Sequence, residues 1–169
     1  MKTSRYVAVT VLALAIGVGA FLTFGRVGLP QSTPIVAYTL LDGTPSSTEA
    51  LRGKVVLVNF WATSCTTCVH EMPQIVATHN RFKASGFETL AVAMSYDAPA
   101  SVVHFAQSHQ LPFKVVIDNT GVVARSFGDV ALTPTTLLID KRGRIVKRYV
   151  GEPDFAALNK LVQALLAEA

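Results

Sequence analysis

Past residue 34 the chain alternates short apolar runs with segments whose apolar residues recur every three or four positions. Residues 35–41 have strand character, Asp42-Gly43-Thr44 is a turn signal, and Ser46-Ser47-Thr48 leads into a short turn ending at Gly53. Val55–Trp61 is an almost unbroken apolar run, the pattern of a central strand buried on both faces. Residues 65–84 predict a helix, with Met72, Ile75, Val76, His79 and Phe82 at helical spacing and Pro73 expected to kink it. A second buried strand over 87–94 and a helix over 99–110 follow, the latter with Val102, Phe105 and Ala106 on one face. Next come a short strand at Val115-Val116-Ile117, a turn at Asn119-Thr120-Gly121 and a short helix over 122–127. Residues 135–140 and 144–150 read as an antiparallel hairpin turning at Lys141-Arg142-Gly143. Glu152 or Asp154 opens a last helix whose stripe is Phe155, Leu158, Leu161, Val162, Leu165 and Leu166. This order predicts an α/β fold: a central mixed β-sheet, mostly parallel and closed by an antiparallel pair, with helices on both faces.

The N-terminal pattern differs. Lys2 and Arg5 precede an uncharged stretch, 6–25, long enough to span a bilayer core. It reads as an uncleaved N-terminal membrane anchor or, with Val18-Gly19-Ala20 as a small-residue cleavage site, as a secretory signal. The basic residues ahead of it place the N-terminus in the cytoplasm and the rest of the chain in the periplasm or its equivalent. The expected organisation is therefore an anchor over 1–25, a Pro- and Gly-containing linker over 26–34, and one domain over 35–169. Part of the 50% hydrophobic composition belongs to the anchor. The net charge of +4 owes much to Lys141, Arg142, Arg144, Lys147 and Arg148, which read as a solvated hairpin edge, and no nucleic-acid partner is expected.

Chemistry concentrates at Cys65-Thr66-Thr67-Cys68, which holds the only two cysteines. A CxxC pair at a strand-to-helix junction is a redox device: the helix N-terminus favours the thiolate of the first cysteine, and thiolate is the species that attacks a disulfide. The second cysteine, one turn along, can close an internal Cys65–Cys68 disulfide and release the substrate. Other readings of the pair fit less well. Structural zinc needs four ligands, haem attachment needs a histidine where Val69 stands, and a structural disulfide would close a very small loop. The peroxiredoxin pattern also fails, because Val58 and Ala62 occupy its proline and threonine positions. His70, His79, His104 and His109 are scattered over two helices and read as surface or packing residues, so no metal site and no cofactor are expected.

The segment Val56-Leu57-Val58-Asn59-Phe60-Trp61-Ala62-Thr63-Ser64-Cys65-Thr66-Thr67-Cys68-Val69-His70-Glu71-Met72-Pro73 resembles the active site of TlpA/ResA-like thiol–disulfide oxidoreductases. Leu132-Thr133-Pro134-Thr135-Thr136-Leu137-Leu138-Ile139-Asp140 is similar to the family's cis-proline loop and following strand, and Leu51-Arg52-Gly53-Lys54 to its lead-in to the central strand. The resemblance covers residues 35–167 and implies a thioredoxin-like fold and a membrane-anchored reductase of the bacterial cell envelope. It implies a cis Pro134, with Thr133 offering backbone groups to an incoming peptide. It also implies that Glu71, one helical turn after Cys68, serves the second cysteine as an acid–base group; an exposed helix carboxylate is the plainer alternative. Trp61 reads as a platform beside the site that meets substrate, or as a core aromatic. Two departures stand out. Ser64 replaces the family's tryptophan before the first cysteine, and Asn59 sits where cytoplasmic thioredoxins carry a buried aspartate.

The expected function is reduction of disulfides in envelope proteins, with electrons from a membrane thiol donor. By resemblance the substrates include apocytochrome c or copper-site assembly proteins. A Cu(I)-holding metallochaperone, which soft sulfur ligands allow, and a disulfide oxidase are the alternatives.

Overall fold

A computed structural model of the protein describes residues 31–168. The expected anchor over 1–25 and most of the linker lie outside the described residues. Among the described residues no helix is long and apolar enough to cross a membrane.

Among the described residues the main sheet has six strands, in the order β1-β8-β7-β4-β5-β6. These are β1 (Gln31–Ser32), β4 (Val55–Trp61), β5 (Phe87–Ala93), β6 (Lys114–Ile117), β7 (Thr135–Ile139) and β8 (Arg144–Val150). A separate two-stranded sheet pairs β2 (Ala37–Thr39) with β3 (Pro45–Ser47). In the main sheet β4, β5 and β6 run parallel, while β7 is antiparallel to β4 and β8 antiparallel to β7. The helices are α1 (Thr66–Phe82), α2 (Pro99–Ser108), α3 (Val122–Ser126) and α4 (Phe155–Ala167). The mixed sheet, the closing hairpin and the helices on both faces are those of the expected thioredoxin-like fold.

Every residue of β4 is buried, which is why its sequence is continuously apolar rather than alternating. Val55, Leu57 and Trp61 face a core built with Met72 and Ile75 of α1, Val102 of α2, and Leu158 and Val162 of α4. Val56, Val58 and Phe60 face a second core with Tyr38, Leu51, Val123 and Phe127. Asn59 has the parity of the first set, so its amide points toward α1.

The structure sharpens the sequence reading at three places. The expected strand at 35–41 is only three residues long, and its partner β3 falls where a turn was expected. Thr48 explains that pairing: its hydroxyl donates to Pro34 O (2.6 Å) and accepts from Val36 N–H (3.0 Å), holding the two segments side by side. The helix runs on through Pro73, which sits on its exposed face. Of the two acids before the last helix, Asp154 is the cap; its carboxylate accepts from Ala156 N–H (2.9 Å) and Ala157 N–H (3.1 Å). Three of the five hairpin cations bond within the domain. Arg144 pairs with Asp140, Lys141 donates to Leu166 O, and Arg148 donates to Phe127 O.

Candidate active site

The C-terminal end of β4 delivers the chain to the cysteines. Cys65 N–H donates to Ala62 O (3.1 Å), closing the turn that follows the strand. Cys65 is then the N-cap of α1: its Sγ accepts from Cys68 N–H at 3.2 Å. The two cysteines form a disulfide with a Cα separation of 5.2 Å. Its sulfurs are unequal, because Cys65 is partly exposed and Cys68 has no accessible surface. Once reduced, Cys65 lies at a helix N-terminus with an amide aimed at its sulfur, an arrangement that favours a thiolate.

Glu71 follows on the buried face of α1 and is 0% exposed, so it is not a surface carboxylate. Asn59 Nδ2 donates to Glu71 Oε1 (2.9 Å) and to Thr136 Oγ1 (3.0 Å). Glu71 Oε2 and Asn59 Oδ1 are buried with no partner among the described residues. Burial away from water pushes the Glu71 pKa up to about 7; the Asn59 bond lowers it, and the negative charge of Glu152 adds to the rise. A carboxyl poised there can take or give a proton near neutrality.

The strand after Pro134 lies on the opposite side of β4 from β5. Thr133–Pro134 is cis, and Pro134 O accepts from Gly151 N–H (2.8 Å). Thr135 pairs with Phe60 and Thr136 with Asn59. The proline therefore comes to the same end of the sheet as the turn leading to Cys65. Thr133 is partly exposed, and its Oγ1 lies 2.9 Å from the Tyr96 hydroxyl.

Trp61 requires a correction. It is 0% exposed and its ring lies 5.1 Å from that of Phe105, in the same core as Cys68. A side chain with no accessible surface cannot meet substrate, so Trp61 takes the core-aromatic reading. His79 packs in the core and His70 pairs at the surface. His79 is buried against Phe113 with its Nδ1 3.2 Å from Thr89 Oγ1, and burial lowers its pKa. His70 Nδ1 lies 3.3 Å from Glu152 Oε2. Among the described residues no group of three or more His, Cys, Asp or Glu is placed to hold a metal. A hollow of about 580 Å³ lined by Lys54, His79, Glu88, Phe113 and Lys114 lies at the other end of β4 and β5 from the disulfide.

Three contributors were not singled out from the sequence. Thr136 joins the Asn59–Glu71 pair. Asp97 accepts from Thr63 N–H (2.5 Å) and Thr63 Oγ1 (2.6 Å), and Tyr96 reaches Thr133. The available signal was a polar triplet, Ser95-Tyr96-Asp97, at the end of a buried strand.

Comparison with known proteins agrees with this geometry. The Redoxin family model matches residues 29–165. Thiol-disulfide oxidoreductase ResA of Bacillus thuringiensis subsp. konkukian is 30% identical over 152 residues, covering 88% of this chain and 87% of the relative. The protein of that name from Geobacillus kaustophilus is 34% identical over 151 residues, covering 87% and 86%. Among solved structures, a thiol:disulfide interchange protein of the thioredoxin family from Chlorobium tepidum superposes with a TM-score of 0.75 at 26% identity, covering 83% of this chain and 99% of that one. These relationships assign disulfide oxidoreductase activity to a chain whose CxxC pair forms a disulfide at the start of a buried helix. The chain belongs to the Redoxin family and is a TlpA/ResA-like member of the thioredoxin superfamily.

Proposed function

We propose that this protein is a membrane-held dithiol reductant of disulfides in envelope proteins. Residues 1–25 would be the anchor, 26–34 the tether and 35–169 the catalytic domain facing the periplasm. The two basic residues ahead of a charge-free stretch support that orientation. By resemblance the substrates include apocytochrome c or copper-site assembly proteins, and a membrane thiol donor restores the dithiol.

In this reading Cys65 is the nucleophile. Its thiolate attacks one sulfur of a substrate disulfide; that S–S bond breaks and the other substrate sulfur leaves as a thiolate that takes a proton. The Cys65–substrate mixed disulfide is held against Thr133 and Pro134. Cys68 then gives its proton to the Glu71 carboxylate and attacks Cys65 Sγ. The second substrate sulfur leaves, the substrate has gained two electrons, and the chain is left with its Cys65–Cys68 disulfide. The observation that carries this reading is the pairing of unequal sulfurs with a fully buried carboxyl whose pKa is about 7.

Trapping tests the assignment. Cys68→Ser should accumulate mixed disulfides between Cys65 and envelope proteins, because attack proceeds and release does not; Cys65→Ser should trap little. Mass spectrometry of the adducts would name the substrates. No adduct with Cys68→Ser, from a wild type that reduces disulfides, would reject the division of roles. Equilibration with a redox buffer gives the direction: a potential near about −270 mV fits a reductant, and one near about −120 mV an oxidant.

A further inference from the structure

The loop between β5 and α2 touches both halves of the exchange site through consecutive residues. Asp97 is 6% exposed, and each of its carboxylate oxygens takes one donor from Thr63, at 2.5 and 2.6 Å. Thr63 stands two positions before Cys65, within the turn closed by Cys65 N–H on Ala62 O. Tyr96 reaches the cis-proline loop instead. Its hydroxyl lies 2.9 Å from Thr133 Oγ1, next to the cis proline, while the residue is 59% exposed. A surface ring is free to change rotamer unless something holds it, and here the bond to Thr133 does. The base of the loop is fixed as well. Met94 N–H donates to Trp61 O (2.9 Å), extending the β4–β5 ladder by one rung, and Asp97 N–H donates to Met94 O (3.0 Å).

We propose that Tyr96 and Asp97 form a clasp that sets the position of the cis-proline loop relative to the cysteine turn, and that Tyr96 thereby tunes how firmly a polypeptide disulfide is held. This rests on the disulfide-exchange reading above. Asp97 acts through Thr63 on the backbone that carries Cys65; ionic acceptors with two short donors hold geometry more firmly than neutral ones. Tyr96 acts through Thr133 on the segment against which a peptide would lie. Both are positioning residues. The clasp makes a distinction that a purely structural turn would not: Tyr96 matters for a substrate long enough to reach the proline loop, and Asp97 matters for every disulfide that Cys65 attacks.

The test uses the full chain in detergent with two disulfides, cystamine and an extended peptide with one internal cystine. Tyr96→Phe deletes only the hydroxyl. It should raise KM for the peptide about three- to tenfold, the value of one hydrogen bond, while kcat holds and KM for cystamine moves less than twofold. Asp97→Asn turns one acceptor into a donor facing Thr63 and should slow both substrates, with Asp97→Glu restoring part of the loss. Equal peptide KM for Tyr96→Phe and wild type, or equal losses on peptide and cystamine, would overturn the clasp. A wild type that reduces neither disulfide would count against the exchange reading instead. The clasp is then judged by calorimetric titration of the same peptide into the Cys65→Ser, Cys68→Ser chain. A Kd weakened three- to tenfold by Tyr96→Phe supports it, and an unchanged Kd overturns it.

Discussion

The amide of Asn59 donates to Glu71 Oε1 across 2.9 Å, tying the central strand to the cysteine helix at a point closed to solvent. Its second hydrogen goes to Thr136 on β7, the residue directly opposite it in the ladder. Two strands and one helix are therefore joined by a single side chain, through neutral donors to a carboxyl that burial already pushes toward protonation. Asn59 stands where the resemblance places the buried aspartate of cytoplasmic thioredoxins, and here the carboxyl comes from the helix.

Glu71 should make stability fall as pH rises through the window from about 4.5 to about 7, because the folded chain holds its proton longer than the unfolded chain does. Above that window the folded state carries a buried anion, at a cost of roughly 3 kcal/mol. His79 works the opposite way in the same range: burial keeps it neutral when folded, so its contribution weakens as pH falls below its ordinary value. Glu88 and Asp140, held below the ordinary carboxylate range by Lys114 and by Arg144, act only in more acid solution. The wild-type curve is thus a sum, and the Glu71→Gln difference curve isolates the group. Urea unfolding of the oxidised protein across pH should show the variant gaining relative stability as pH rises, then levelling off. A flat difference would mean that Glu71 titrates alike in both states.

Glu71→Gln should also slow resolution at Cys68 by at least tenfold while leaving the first attack by Cys65 within about threefold, since a general base typically contributes 10²–10⁴-fold to the step it serves. Stopped-flow mixing of reduced protein with a disulfide substrate separates the two phases. In the wild type the resolving phase should accelerate as pH rises through about 7, and in the variant that limb should flatten. Equal slowing of both phases would reduce Glu71 to a structural role.

The sequence made some of these features readable and hid others for physical reasons. Val55–Trp61 was legible because a strand buried on both faces has to be apolar throughout, and the cysteine spacing was legible because one helical turn brings the sulfurs together. The hairpin of β7 and β8 was legible from its polar turn. β3 was not, since Pro45-Ser46-Ser47 has the composition of a turn and becomes a strand only through Thr48. Trp61 could be read two ways, because a core ring and a surface platform look the same in one dimension; only its missing accessible surface decides. Asp97 and Thr63 are 34 positions apart, and nothing local to either announces the other. Asn59 was visible as a polar residue in an apolar run, yet its partner became known only once β4 and α1 were laid face to face.

That partnership gives the sharpest remaining prediction, for Asn59→Asp. The substitution is nearly isosteric, so packing around β4 is kept while the Nδ2 donor is lost and a second carboxyl is placed at hydrogen-bond distance from Glu71. Two carboxyls that close cannot both ionise cheaply in a buried site; they share a proton and titrate as a pair with separated apparent pKa values. One proton should therefore stay with the pair well above pH 7, where Glu71 alone would have released it. The pH dependence of the resolving phase should move up by more than one unit, and stability should fall further as pH rises than it does in the wild type. Infrared difference spectra of the carboxyl stretch would show a protonated acid persisting at pH 8, which Glu71→Gln combined with Asn59→Asp should reduce by removing the shared partner. A resolving phase that titrates as in the wild type would mean that Asn59 and Glu71 do not act as one unit, and that the 2.9 Å contact is packing without consequence for the proton.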